Sequence, residues 1–365
     1  MGLIAATALV TSFLVAALWP QKDVCLHTHR PPDEILHESE RLPAAVERAA
    51  TTPLLLRARS GSDPRRCLVH GPGFVANDSL FAVDELGDAS IYDAREGRVV
   101  SSFVGCGAGT TFCEVSPTDG RALVGTPFSD ELRDLSLVEV GQPTEMHVVG
   151  RTRRNEEGWR VATLAPDGRR ALVNRICGHL ELWDLRDGSL ATEFVGDGRI
   201  IALAVSHGGT KAVSGTSGGV IQLWDLLGGE LMTKDTTCEH ETILALRFTG
   251  PWECVVAAAD ANRTHVFRLD LRESSVRDEL ETNFSASFAC LDQEGVRAVS
   301  SSSTGALVLW DLAAKTVHPV PGMNRLVSAS FSADGKHVVT VASASGPLIV
   351  RDFERGVIER AIPIP

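Results

Sequence analysis

The sequence predicts an all-β fold: seven four-stranded antiparallel sheets stacked around one axis, behind a short, partly helical amino-terminal arm. Three observations predict it. A strand ending in Trp-Asp recurs almost unchanged as HLELWDL (179–185), VIQLWDL (220–226) and ALVLWDL (306–312). Weaker copies put Asp93, Glu139, Asp270 and Asp352 in the place of Asp184, Asp225 and Asp311, so the seven anchors lie 46, 45, 41, 45, 41 and 41 residues apart. The same turn residues return at fixed offsets from each anchor. Self-similarity at such a period marks a repeat architecture.

Residues 1–66 read as the arm and 67–365 as the repeats. Leu3–Trp19 holds 17 positions without a charge, about 26 Å as a helix against a hydrocarbon core of ~30 Å, so it is a marginal membrane span. No Lys or Arg precedes Lys22, and Leu18-Trp19-Pro20 lacks the small residues of a cleavage site. A signal, an anchor and a packed helix all stay open, and membrane contact is expected only through residues 3–19. The expected location is cytoplasmic, with a membrane-anchored or secreted protein as the alternative. The sequons at Asn77, Asn262 and Asn283 matter only in the secretory lumen. Behind this segment the chain is polar and Pro-punctuated (Pro31, Pro32, Pro43, Pro53, Pro64), with one helix-like stretch, DEILHESERLPAAVERAA. Cys25, His27, His29 and His37 alternate metal-binding side chains there, but nothing rigid holds them.

Within each repeat an apolar strand leads to a turn such as SPTDG (116–120), APDG (165–168), SHGG (206–209) or SADG (332–335), then to a second strand. Asp-Gly and Gly-Gly supply the left-handed conformations of tight hairpins. Gly87, Gly178, Gly219, Gly305 and Gly346 stand six residues before the anchor, and Gly97, Gly188, Gly229 and Gly356 four after it. One such sheet cannot bury both faces alone, so seven stack on one another. Closure has two candidates: the carboxyl end GVIERAIPIP as the outer strand of the last sheet, or LLLRARS (54–60) pairing onto that edge.

Over residues 67–365 this pattern resembles the WD-repeat family of seven-bladed β-propellers. The resemblance implies a hydrogen-bonded tetrad of strand-three Trp, second-strand Ser or Thr, turn Asp and a His ahead of the first strand. At the turn-Asp place stand Leu86, Leu132, Cys177, Gly218, Arg263, Thr304 and Ser345, none acidic, and His240 is the one plausible family His. The tetrad is therefore expected to be incomplete in every blade, with Trp183, Trp224 and Trp310 acting mainly by packing.

With 35 Lys and Arg against 47 Asp and Glu, the net charge is −12 and argues against a nucleic-acid partner. The 8 cysteines include no C-x-x-C pair, so scattered thiols are expected rather than a zinc or disulfide framework, and no metal or other cofactor is expected. Gly215-Thr-Ser217-Gly-Gly219 matches a serine-hydrolase motif but falls on a strand-to-strand turn, not on a strand-to-helix elbow. Gly105-Cys-Gly-Ala-Gly109 lacks the Lys and helix of a phosphate loop. No catalytic constellation is found, and the expected function is a non-enzymatic scaffold that binds other proteins through its loops.

The segments Thr126–Asp134 and Gly150–Gly158 fall on one end of such a ring. Phe128, Asp130, Glu131, Arg133, Arg151, Arg153 and Arg154 are the candidate partner-binding residues, since Arg and exposed aromatics anchor interfaces; a pair of solvated loops is the alternative. Trp252 is a second candidate, or else shields its own hairpin. Two narrower functions stay open. Trp183-Asp184-Leu185-Arg186 resembles the W-D-x-R ending of cullin-type ubiquitin ligase receptors, and the ring could be the sensor propeller of a larger signalling ATPase.

Overall fold

The computed structural model describes residues 54–362 except 56, 59–67, 76–78, 85–87, 105–111, 117–119, 128–131, 140–144, 154–158, 176–177, 197, 321–325 and 343–346. The chain divides into two units, Met1–Ala45 and Val46–Pro365, and the first lies outside the described residues, with the apolar segment 3–19 and the Cys25–His37 cluster. No helix among the described residues is long and apolar enough to cross a membrane.

The second unit is a ring of seven antiparallel blades, a β-propeller. Each blade runs inner, second, third and outer strand in chain order, as in blade four with Ile200–Val205, Lys211–Thr216, Ile221–Asp225 and Glu230–Asp235. The expected turns explain the regularity. The anchor carboxylate caps the turn after it: Asp93 Oδ1 accepts from Arg95 N and Glu96 N at 2.8 Å, and Asp225 Oδ1 from Leu227 N at 2.9 Å and Gly228 N at 3.1 Å. Those N–H groups hold the Asp93 and Asp225 carboxyls below the usual range. Four residues after the anchor the backbone turns left-handed, at Gly97, Gly188, Gly229 and Gly356 with φ of 70, 67, 74 and 65°. The sequence has no glycine there in blades five and six, yet Ser274 and Lys315 keep the conformation at φ 51 and 55°. The ring geometry overrides the residues' own preference.

Cohesion comes from blade stacking. Among the described residues each of the seven seams between neighbouring blades carries one apolar cluster. Trp183, Trp224 and Trp310 lie opposite Ala171, Ala212 and Ala298 on the second strand. The small residue leaves room for the indole, and Phe194 of blade three meets the Trp224 ring edge-on at 5.8 Å.

The indoles pack in the seams as expected and also hydrogen-bond. Trp224 Nε1 donates to Ser214 Oγ at 3.0 Å and Trp310 Nε1 to Ser300 Oγ at 2.8 Å, so blades four and six keep the Trp and Ser members of the tetrad. In blade three Val173 stands at the Ser place, and Trp183 Nε1 donates instead to Glu181 at 3.0 Å. His240 is not a tetrad member: it is exposed, on a turn with φ 75°.

The last blade takes its outer strand from the carboxyl end, Ile358–Ile362. Leu54–Leu55 pairs instead with the outer strand of blade two and Arg57–Ala58 with that of blade one. Part of the predicted arm thus adds a fifth strand to two blades, and the ring closes by packing: Phe74, Leu80 and Tyr92 of blade one meet Val339, Leu348 and Val350 of blade seven.

Candidate functional site

Blade two departs most from the common plan. Its third strand, Leu132–Glu139, has 8 residues and its outer strand, Glu145–Arg153, has 9, against third strands of 5 residues in blades three, four, six and seven. The described parts of both predicted variable loops, 126–127, 132–134 and 150–153, are ladder. Pro127 pairs with Arg133, which pairs in turn with Thr152, while Arg151 lies opposite Asp134 and Arg153 opposite Leu132. The register therefore sets Arg133 of the third strand opposite Thr152 at the far end of one hairpin, with Arg151 and Arg153 at the alternate positions of the outer strand. Phe128, Asp130, Glu131 and Arg154 lie outside the described residues.

The other candidates have local explanations. Lys211 Nζ stands 4.5 Å and the Arg272 guanidinium 4.4 Å from the centroid of the Trp252 ring, which packs on the seam between blades four and five. The ring is a pad for two cations from two blades. Arg186 of the W-D-x-R ending grips Asp184 with Nε and a terminal nitrogen, and that hydrogen-bonded partner takes the Asp184 carboxyl down to about 2. Ser217 sits on an exposed turn and its carbonyl accepts from Thr242 Oγ1 at 3.4 Å. The glycine run at 105–109 lies outside the described residues.

A second cluster escaped the sequence reading. His265, at the start of the third strand of blade five, has Nε2 2.6 Å from Glu241 and Nδ1 2.6 Å from Glu279. A terminal nitrogen of Arg263 donates to the other Glu241 oxygen at 2.9 Å, and the same guanidinium reaches Asp260 at 3.5 Å and Glu281 at 3.6 Å. His265 and Glu241 are buried, and so is Cys238 beside them. Burial, with the charges of Glu241 and Asp235, pushes the Cys238 thiol up to about 12. The run Cys238-Glu-His-Glu241 was the available signal, but its partners lie on another blade, over twenty residues away.

A third polar group gathers at the axis, where inner strands line the ring. Glu114 of blade two is desolvated and its carboxyl is raised to about 7, with Arg247 of blade five opposing the shift. Cys290 of blade six feels both charges, and burial lifts its thiol to about 12.

Compared with known proteins, the chain matches no family model and no curated sequence.

Proposed function

We propose that this protein is a non-enzymatic interaction scaffold of the WD-repeat type, which binds protein partners at the end of the ring where blade two projects. A β-propeller is commonly such a scaffold, because stacked blades hold their turns rigidly while loop sequences vary. The observation that carries the reading is the lengthened blade-two hairpin of an acidic chain, with Arg151 and Arg153 at alternate positions of the outer strand and Arg133 on the adjoining strand. Arginines on a rigid ladder suit a partner that offers carboxylates or aromatic faces, since guanidinium pairs bidentately and stacks. The Trp-to-Ser bonds of blades four and six and the capping anchor Asp residues support the WD-repeat assignment. Buried thiols at Cys238 and Cys254 support a reducing, cytoplasmic setting.

The test is affinity purification of the tagged full chain from native extract, beside a variant carrying Arg133→Glu, Arg151→Glu and Arg153→Glu. The variant should lose the proteins that the parent retains. Equal recovery from a folded variant would sink the assignment of this hairpin.

A further inference from the structure

We propose that Cys238, Glu241 and His265 form a zinc-binding site that locks the connector between blades four and five. One ligand atom from each, a thiol sulfur, a carboxylate oxygen and an imidazole nitrogen, can be chosen so that all lie within 4.8 Å of one another, and all three residues are buried. A tetrahedral Zn2+ with bonds of about 2.0–2.3 Å places its ligand atoms about 3.5 Å apart, so the trio needs a shift of only about an ångström. A sulfur, nitrogen and oxygen donor set on one ion favours zinc over the oxygen-seeking magnesium and calcium.

The connector is built to present this set. Glu241 N donates to Cys238 O at 2.9 Å, which folds the turn so that the two side chains stand three residues apart. His240 N donates to Gly218 O at 3.3 Å and ties the turn to blade four. Gly219 leaves the space, since a Cβ there would stand 1.7 Å from Cys238 O.

The surroundings are those of a metal centre. With Zn2+ on Nε2, the Nδ1–H of His265 faces the Glu279 carboxylate at 2.6 Å, while Nε2 already points at Glu241. A carboxylate behind the ligating imidazole is the usual orienting partner in zinc sites, and Arg263 holds the Glu241 oxygen that faces away from His265.

A separate observation points the same way. Asp235, three residues before Cys238 and 5% exposed, has its Oδ2 buried without a hydrogen-bond partner among the described residues. Its charge reaches the Cys238 thiol. Glu241 and Asp235 therefore place two buried carboxylates at the cluster, with the exposed Glu279 behind the imidazole, while the Arg263 guanidinium is shared with Asp260 and Glu281. Buried charge of one sign is costly, and a divalent cation at the trio balances it.

The test is titration of the metal-free full chain with Co2+ alone, followed by Zn2+. One Co2+ per chain should give a thiolate-to-cobalt charge-transfer band with tetrahedral visible bands, and Zn2+ should displace it. Cys238→Ser should abolish the charge-transfer band, and His265→Ala should weaken binding at least tenfold. Glu279→Gln should keep the band and weaken binding about 10-fold to 100-fold, as loss of an orienting partner does. Cys254→Ala, and a variant with Cys25, His27 and His29 all changed to Ala, should bind as the parent does. Absence of the band, its survival in Cys238→Ser, or its loss with the arm ligands overturns the proposal. If Cys238→Ser does not fold, X-ray absorption of the zinc-loaded parent decides: one sulfur in the shell supports the site, and none overturns it.

Discussion

Trp224 Nε1 donates to Ser214 Oγ across 3.0 Å inside blade four, and Ser214 Oγ donates on to Gln222 Oε1 at 3.1 Å. All three side chains are buried. Ser214→Ala takes the acceptor from the buried indole N–H and one donor from the Gln222 amide oxygen, which costs about 1–3 kcal/mol. Ser300→Ala in blade six strands only the Trp310 N–H and should cost less. Urea unfolding of both variants checks this; equal midpoints for parent and Ser214→Ala would mean that the indole works by packing alone.

Ser274 and Gly229 occupy one turn position in neighbouring blades, at φ 51 and 74°. Ser274 is exposed, so Ser274→Gly should relieve left-handed strain at little other loss and stabilise the protein by about 0.5–1 kcal/mol, after the extra freedom of glycine in the unfolded chain. Gly229→Ala should destabilise by about 1 kcal/mol, because its Cβ adds a 3.3 Å contact with Thr192 to the strain. Thermal melts read both. Opposite signs are required.

These turns show what was legible in the chain. Trp-Asp strands and the glycines after them are local patterns, so the blade count, the anchors and the turn chemistry could be read from spacing alone. The Ser acceptors could not, because Ser214 and Ser300 become neighbours of their Trp only through strand register. A two-residue edge strand has no periodicity, so Leu54–Leu55 and Arg57–Ala58 gave no sign of joining blades two and one. The cluster around His265 draws on a connector and two strands, and no local motif spans that separation.

Glu114 makes stability depend on pH in a stated direction. Its carboxyl sits at about 7 in the folded ring against 4.5 for an unperturbed glutamate, because burial disfavours the charge. Between these values the folded state holds the proton more tightly, so the contribution is full below pH 4.5 and lost as pH rises to 7. The shift corresponds to about 3 kcal/mol at most, less where solvent in the channel screens the charge. Glu114→Gln, neutral throughout, should flatten this part of the profile and raise the melting temperature at pH 8 relative to the parent. Parallel profiles for the two proteins between pH 5 and 8 would refute the assignment.

Closure of the ring rests on apolar packing between blades that are far apart in sequence. The seam of blades seven and one joins Leu348, Val350 and Ile362 to Phe74, Leu80 and Tyr92, with the chain's longest loop between them. Closing a loop of a few hundred residues costs on the order of 5 kcal/mol in chain entropy, which no other seam has to overcome. Leu348 is fully buried, and Leu348→Ala removes about 2–5 kcal/mol, comparable to that cost. Leu223→Ala, in the seam of blades four and five, should lose similar global stability while its blades stay held by the intact chain on both sides. Hydrogen exchange separates the two. In Leu348→Ala the amides of Ile358–Ile362 and Ser79–Asp84 should exchange faster than global unfolding allows, because the ring opens at its seam first. In Leu223→Ala those amides should exchange only with the whole molecule, and equal protection in both variants would show that closure carries no special weakness.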